Sequence, residues 1–414
     1  MSGCDRSRLV VTCCLLLLAG TETAIAQSTG PGDVLTIRER KATDGAPTGI
    51  LTGPFTITPG IQLVSTWDDN ILLTRNNTRS DIVTEAKPAI GVQTNWDRHG
   101  LFFGAEGEFG KYADNSHLDY SDYAFLASGQ YDFAYETALV ASISQFKKHE
   151  DREALSTPAG ADPVPYTVDR QQLDFRREAG IIKLKARALN EEVSFDDGLT
   201  PGGGSSDRQN NIFSGTLSYD YMPGNGFFIS PEWSTTDYSL RSGAAVSSDG
   251  GDFRAGWTFD HPHGVGFTIF AGYLFREYET GLGDTGDFYW GGELDWDVTQ
   301  ATTASVVLDT NFNETSVSNA AGNIQATHKF IVETDLTEFL IGEIMFGFDD
   351  NEYVGGGAGV DRETTLYYGG IGAKYKISDR VDISFGYRHE QRDSQVANDE
   401  YENNRATISL VYRH

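Results

Sequence analysis

The chain has 414 residues, with 60 acidic against 32 basic side chains and a formal charge of −28. A surplus of that size disfavours any partner with a polyanionic backbone and sets nucleic acid aside. All three cysteines (Cys4, Cys13 and Cys14) lie at the very start, so the rest of the chain has neither disulfide nor thiol and must be held together by other means.

In chain order, Arg6 and Arg8 precede an apolar run, Leu9 to Ala19, and Ala24-Ile25-Ala26 forms a small-x-small cleavage pattern before Gln27. Residues 1–26 read as a secretory signal peptide, since the run falls short of the roughly 20 residues a membrane-spanning helix needs. Cys13 and Cys14 are not preceded by a lipobox. Residues 27–53 are polar, contain Gly and Pro, and keep no sustained period. They read as a periplasmic lead-in, too short for a domain of their own.

From Phe55 onward one unit repeats to the end: an alternating run of about ten to fourteen residues, then a break. In the run from Trp96 to Tyr112, Leu101, Phe103, Ala105 and Phe109 share one parity while Glu106 and Glu108 share the other. Phe253, Ala255, Trp257 and Phe259 repeat the pattern, as do Val265, Phe267, Ile269, Ala271, Tyr273 and Phe275. Alternate side chains of a strand point to opposite faces, so each run has one greasy and one polar side.

The breaks come in two lengths. Short ones are Asp97–Gly100, Met222–Gly226, His261–Gly264 and Ser378–Arg380; long ones are Asp68–Asp81, Glu150–Asp169, Asp196–Gln209 and Asn351–Arg362. They alternate along the chain, which is the asymmetry of an outer-membrane barrel with short periplasmic turns and long extracellular loops. A soluble sandwich alternates in parity too, but the alternating break lengths and the aromatics near run ends favour lipid. Residues 54–414 are therefore expected to form an all-β, transmembrane antiparallel up-and-down barrel. About 18 strands are counted, with 16 as the fallback. Such a sheet must close on itself, because lipid cannot satisfy edge amides.

If the apolar parity faces lipid, the polar parity lines a lumen. The basic candidates are Arg176, Lys183, Lys185 and Arg187, and, towards the end of the chain, Arg388 and Arg392. The acidic candidates are Glu293, Asp295 and Glu343, joined by Glu106 and Glu108. Acidic and basic strands would then face one another in sectors, a transverse field that orients polar solutes. Carboxylate-rich stretches at Tyr112–Tyr123, Asp349–Tyr353 and Asp393–Asn404 read as solvated extracellular loops. None has the spacing of a calcium-binding loop, so neither a metal nor a cofactor is expected.

Catalysis is not expected either. His99, His261 and His263 fall in short turns and His117 in a long loop, and neither G-x-S-x-G in a strand-to-helix setting nor H-E-x-x-H occurs. The glycine triplets at 202–204 and 355–357 have no following helix to cradle a phosphate.

Three stretches carry a family resemblance. They are "STWDDNILLT" (Ser65–Thr74), "SDIVTEAKPAIGVQTNWDRHGLFFGAEGEFGKYADNSHLDYSDY" (Ser80–Tyr123), and "FGYRHEQRDS" with "YENNRATISLVYRH" at the end. Together they resemble the putative beta-barrel porin 2 family, outer-membrane barrels of Gram-negative bacteria often found in exopolysaccharide loci. The resemblance spans about Phe55 to His414 and is strongest at the two ends. It implies a passive conduit for a secreted polysaccharide, working with a periplasmic export partner, seated in outer-membrane lipid and inserted by the barrel assembly machinery. A general diffusion porin for small hydrophilic solutes is the alternative, with an outer-membrane hydrolase or a structural barrel behind it. Asp68, Asp69 and Asn70 match the family's first-loop motif, without a role attached. The chain departs from the usual aromatic last residue: it ends in His414, with Tyr412 two places before.

Overall fold

A computed structural model describes residues 49–134, 136–150, 152–153, 162, 164–196, 207–238, 247–261, 264–279, 284–313, 322–354, 363–395 and 399–414. The stretch read as a signal peptide, that read as a lead-in as far as residue 48, His263 and both glycine triplets lie outside the described residues.

A short strand, β1 (Ile50–Thr52), precedes the barrel. Its first half comprises β2 (Phe55–Asp68), β3 (Asp81–Thr94), β4 (Gly100–Tyr112), β5 (Tyr120–Ala134), β6 (Thr137–His149), β7 (Pro165–Arg177), β8 (Ile182–Phe195), β9 (Arg208–Met222) and β10 (Asn225–Tyr238). The second half comprises β11 (Ser248–His261), β12 (Val265–Tyr278), β13 (Thr285–Thr299), β14 (Thr302–Asn313), β15 (Gly322–Thr337), β16 (Leu340–Val354), β17 (Glu363–Ser378), β18 (Val381–Ser394) and β19 (Tyr401–Arg413). Each of β2 to β19 pairs antiparallel with its chain neighbours, and β19 pairs with β2, so 18 strands close into one ring. The count of 18 holds and the fallback of 16 does not.

The ring closes unevenly. β19 runs beside β2 from Arg405↔Asp68 to Arg413↔Gly60, which leaves the first residues of β2 without it. β1 takes that edge instead, pairing Ile50↔Ile57 through Thr52↔Phe55. Part of the stretch read as a lead-in thus contributes to the sheet, because an open edge at the barrel rim is a run of unpaired amides.

The parity read from the sequence is the parity of the wall. Leu101, Phe103 and Phe109 are exposed on the outside of β4, and Ile269 and Tyr273 on the outside of β12. Opposite-facing positions such as Thr303, Glu333 and Glu390 are buried. Aromatics gather at both ends of the apolar band. Near the short turns, Tyr221 and Phe227 lie 5.7 Å apart, and the Trp257 indole N–H donates to Tyr221 at 3.3 Å. Near the long loops stand Trp67, Trp233, Tyr273 and Phe288, the last two 4.7 Å apart. These are the interfacial girdles of a membrane barrel. The turn after β9 is Pro223-Gly224, with φ of 74° at Gly224, a conformation that a Cβ would strain.

Three stretches read as loops are strand wholly or in part. Asp349–Tyr353 lies within β16, Tyr120–Tyr123 opens β5, and Tyr401–Asn404 opens β19. Hydrogen bonding to neighbouring strands carries the sheet beyond the lipid band, where apolar alternation is no longer needed. At that level the Asp81 carboxylate accepts from the Asn115 backbone at 3.0 Å and its side chain at 2.7 Å, which pins the loop between β4 and β5.

Ile371, 62% exposed, sits mid-strand on the outside of β17 between Ile344 and Tyr387 of the flanking strands. Ile371→Arg is expected to cost about 2–4 kcal/mol of folding stability in bilayers, read by urea titration of refolding into liposomes. Ser384→Arg, on the inner face of β18, should leave the midpoint close to that of the parent.

Candidate functional site

The Asp-Asp-Asn motif forms the upper part of the closing seam. Beyond the last ladder pair, Asp69 accepts from the Asn404 backbone and its carboxamide, both at 2.7 Å. Asn70, 1% exposed, donates to the carbonyls of Thr74 at 2.9 Å and Glu402 at 2.8 Å, and accepts from the Thr74 backbone at 3.1 Å. Asp68 accepts from the Asn70 backbone at 2.8 Å and from Asn403 at 3.4 Å. With one further backbone bond, from Asp69 N–H to the Asn404 carbonyl at 3.2 Å, these side chains continue a junction whose paired ladder ends at Arg405↔Asp68. The bend they impose, with φ of 49° at Leu73, buries that side chain among Leu366, Tyr368 and Tyr401. Leu366, Tyr368 and Tyr401 are on the inward parity of β17 and β19, so the first loop folds over the inner wall.

That wall carries the densest charge cluster. Glu390 of β18 is fully buried and lies between Arg388 and Arg405, with 2.5 Å to the Arg405 guanidinium. Arg388 stacks over the Tyr368 ring at 4.6 Å and Arg392 over Tyr401 at 4.8 Å. The partner of this wall comes from a distance. Glu153, in the loop between β6 and β7, accepts from Arg405 through its carboxylate and from Arg392 through its backbone carbonyl. β2, β3, β4 and β5 lie between the ends of β6 and β7 and β19 on the ring, so Glu153 meets a wall four strands away from its own. Glu150 N–H donates to Val164 at 2.9 Å, closing the loop's base.

The other sequence-derived candidates are all on the inward parity of their strands. Glu108 pairs with Lys87 at 3.0 Å and accepts from the Tyr120 hydroxyl at 2.9 Å, and Glu106 lies two positions along the same face. Arg176 donates to Gln130 at 3.1 Å. Lys183 pairs with Asp220 at 2.7 Å, Lys185 with Glu178 at 3.6 Å and Arg187 with Asp174 at 2.8 Å. Asp295 accepts from Ser305 on the next strand. Glu293 and Glu343 line the acidic stretch between β13 and β16, opposite Val307 and Gly372 respectively.

This modifies the expected sectors. The basic run on β7 and β8 is matched by carboxylates on the same and adjacent strands. Opposed inward positions sit close enough for pairing, so much of that charge is neutralised locally. Arg388 and Arg405 instead share Glu390, Arg405 also holds the Glu153 carboxylate, and Arg392 pairs with Asp399 at 3.6 Å, beside two tyrosine rings. Sequence reading placed Arg388 and Arg392 there and omitted Glu153, whose reach across the mouth leaves no mark in local spacing. Tyr368 and Tyr401 were findable from parity alone.

A closed 18-strand ring with a greasy outer wall, two aromatic girdles and a charged inner face is an outer-membrane barrel of the porin class. The chain belongs to the family described as Putative beta-barrel porin 2, whose model matches residues 43–414. No curated protein matches the sequence. Among solved structures, the outer membrane protein OpdK from Pseudomonas aeruginosa is similar at 11% identity and a TM-score of 0.52, over 86% of this chain and 99% of that one. OpdK with vanillate gives 12%, 0.53, 86% and 99%. OccK9 (OpdG) from the same organism gives 12%, 0.52, 87% and 98%. At such identities the likeness is one of fold.

Asn70→Ala leaves the Thr74 and Glu402 carbonyls without their donor and is expected to cost about 1–3 kcal/mol. The loss should appear as a lower temperature for the shift from folded to unfolded mobility on unboiled gels. Asn76→Ala, exposed in the same loop and outside the seam's hydrogen bonds, should leave that temperature unchanged.

Proposed function

We propose that the barrel is a passive, water-filled channel for acidic saccharides, and that its transport task is secretion of an extracellular polysaccharide. The observation that carries this reading is the inner wall at β17 to β19, where Arg388, Arg392 and Arg405 stand beside the Tyr368 and Tyr401 rings. Guanidinium forks match carboxylates in planar, bidentate fashion. Tyrosine faces accept the apolar faces of sugar rings, and the remaining inner wall offers hydroxyls, carboxamides and paired charges to water. No covalent step is needed. Lipid-facing aromatics fix depth, inner charges hold water and set selectivity, and the loop bearing Glu153 narrows the mouth. The family resemblance supports the secretion task, and a periplasmic export partner would deliver the polymer.

A second reading, uptake of small carboxylates, draws on two observations. Glu153 bridges across the mouth to Arg405, which suits a narrow solute better than a polymer. One structure that shares this fold, OpdK, was solved with vanillate, an aromatic carboxylate.

In a planar bilayer the purified protein should give stable conductance steps with anion preference. Replacing Arg388 and Arg392 together by Glu should move the reversal potential toward cation selectivity, with heat-shifted gel mobility as the check on folding. A folded variant with an unchanged reversal potential would remove these residues from the permeation path. Deleting the gene should trap polymer in the periplasm while growth on small carboxylates is kept. The opposite phenotype would replace secretion by the uptake reading.

A further inference from the structure

The outer wall is not uniform. On β12 six successive outward residues, Val265 to Phe275, are apolar or aromatic, a belt of about 26 Å along the membrane normal at usual strand rise and tilt. On β7 only Leu173 and Phe175 separate outward Gln171 from outward Arg177, about 15 Å on the same reckoning. The neighbours are little better. β6 offers Leu139, Ala141 and Ile143 before Gln145, and β8 ends its apolar face in Ala186 and Ala188 before Asn190. A typical outward band is about 25 Å tall, so this sector is too short for lipid and poor in bulk.

Where the belt is short, polar side chains form a row on the outer face. The Gln145 amide donates to Asp169 at 2.7 Å. Gln171 stands opposite Asn190, the Asn190 amide donates to Asn211 at 2.7 Å, and Asn211 donates to Thr235 at 3.3 Å. Counted from the outer strand ends, the row descends from Thr235 on β10 to Gln171 on β7, which sits deepest. Acyl chains offer these groups nothing.

We infer that the outer face of β6 to β9 is covered by a second copy of this chain. A carboxamide carries two donor hydrogens and two acceptor lone pairs, so a row of them is complementary to its own image, whereas a row of carboxylates would call for a cationic partner. The flanking charge has the same property, since outward Lys147 lies in the same sector as outward Asp169 and Glu192. Exposed alanines at 141 and 186 let two walls approach closely. Two barrels related by an axis along the membrane normal bring such a patch against its copy, and each covers the other's short belt.

Beyond Cys14 the chain has no cysteine, so single introduced thiols report cleanly. In outer membranes, Ala141→Cys or Ala186→Cys treated with a short bismaleimide should give a band of twice the monomer mass. Ala271→Cys, on the outside of β12, should stay monomeric. Gln171→Leu with Asn190→Leu in the Ala186→Cys background should lose the doubled band while the folded monomer remains. If that variant does not fold, the comparison of Ala141 and Ala186 with Ala271 decides alone. Three results would overturn the inference: no doubled band from either alanine position, equal doubling from Ala271→Cys, or an adduct whose mass is not a multiple of this chain.

Discussion

A sheet in hydrocarbon has no water to fall back on, so every strand edge must find another edge. Seventeen of the eighteen junctions in this barrel join chain neighbours through turns or loops. The eighteenth joins β2 to β19, between residues more than 300 positions apart. It is the junction with the least local help, and it has the most specific side-chain chemistry. Backbone pairs run from Gly60 to Asp68, the Asp69 and Asn70 side chains extend the contact above, and β1 covers the edge below. The Asp68-Asp69-Asn70 stretch is a latch between the two ends of the barrel.

Closure then dictates the chemistry of the inside. Once the ring is shut, pleating sends every second side chain into the lumen, and polar groups placed there meet those of adjacent strands at close range. The formal charge of −28 therefore says little about the field inside. Lys183 and Asp220, or Arg187 and Asp174, are matched where they stand. Differences in local field come from places where matching is shared among several groups, and the wall holding Glu390 is the clearest of them.

How much of this was legible beforehand follows from the range of the forces involved. Parity is a property of adjacent residues, so outward Phe109 and Ile269 and inward Glu108 and Arg388 could be read from spacing, and with them the class of fold and the strand number. Strand ends were less legible, since beyond the lipid the alternation lapses while the hydrogen-bond ladder continues. Asp349–Tyr353 is therefore strand with the composition of a loop. Least legible were contacts made through space. Nothing near Glu153 announces Arg405, and nothing near Asn70 announces the Glu402 carbonyl, because each partner is supplied by the closed ring rather than by the neighbouring chain.

Arg405 ties the two halves of this account together. It is the residue of β19 opposite Asp68 at the top of the backbone seam. Its guanidinium also holds Glu390 of the wall and Glu153 of the loop that reaches over the mouth. A buried charge that loses one partner costs far more than the pair gains over neutral packing. Withdrawal of Glu153 would therefore leave Arg405 still held by Glu390, whereas loss of Arg405 would strand Glu390 beside Arg388 alone and loosen the seam as well. The loop can in that sense be released without opening the barrel, because the wall keeps its own counter-charge. A constriction built on a residue with two anionic partners is separable from closure, and one built on a single pair would not be.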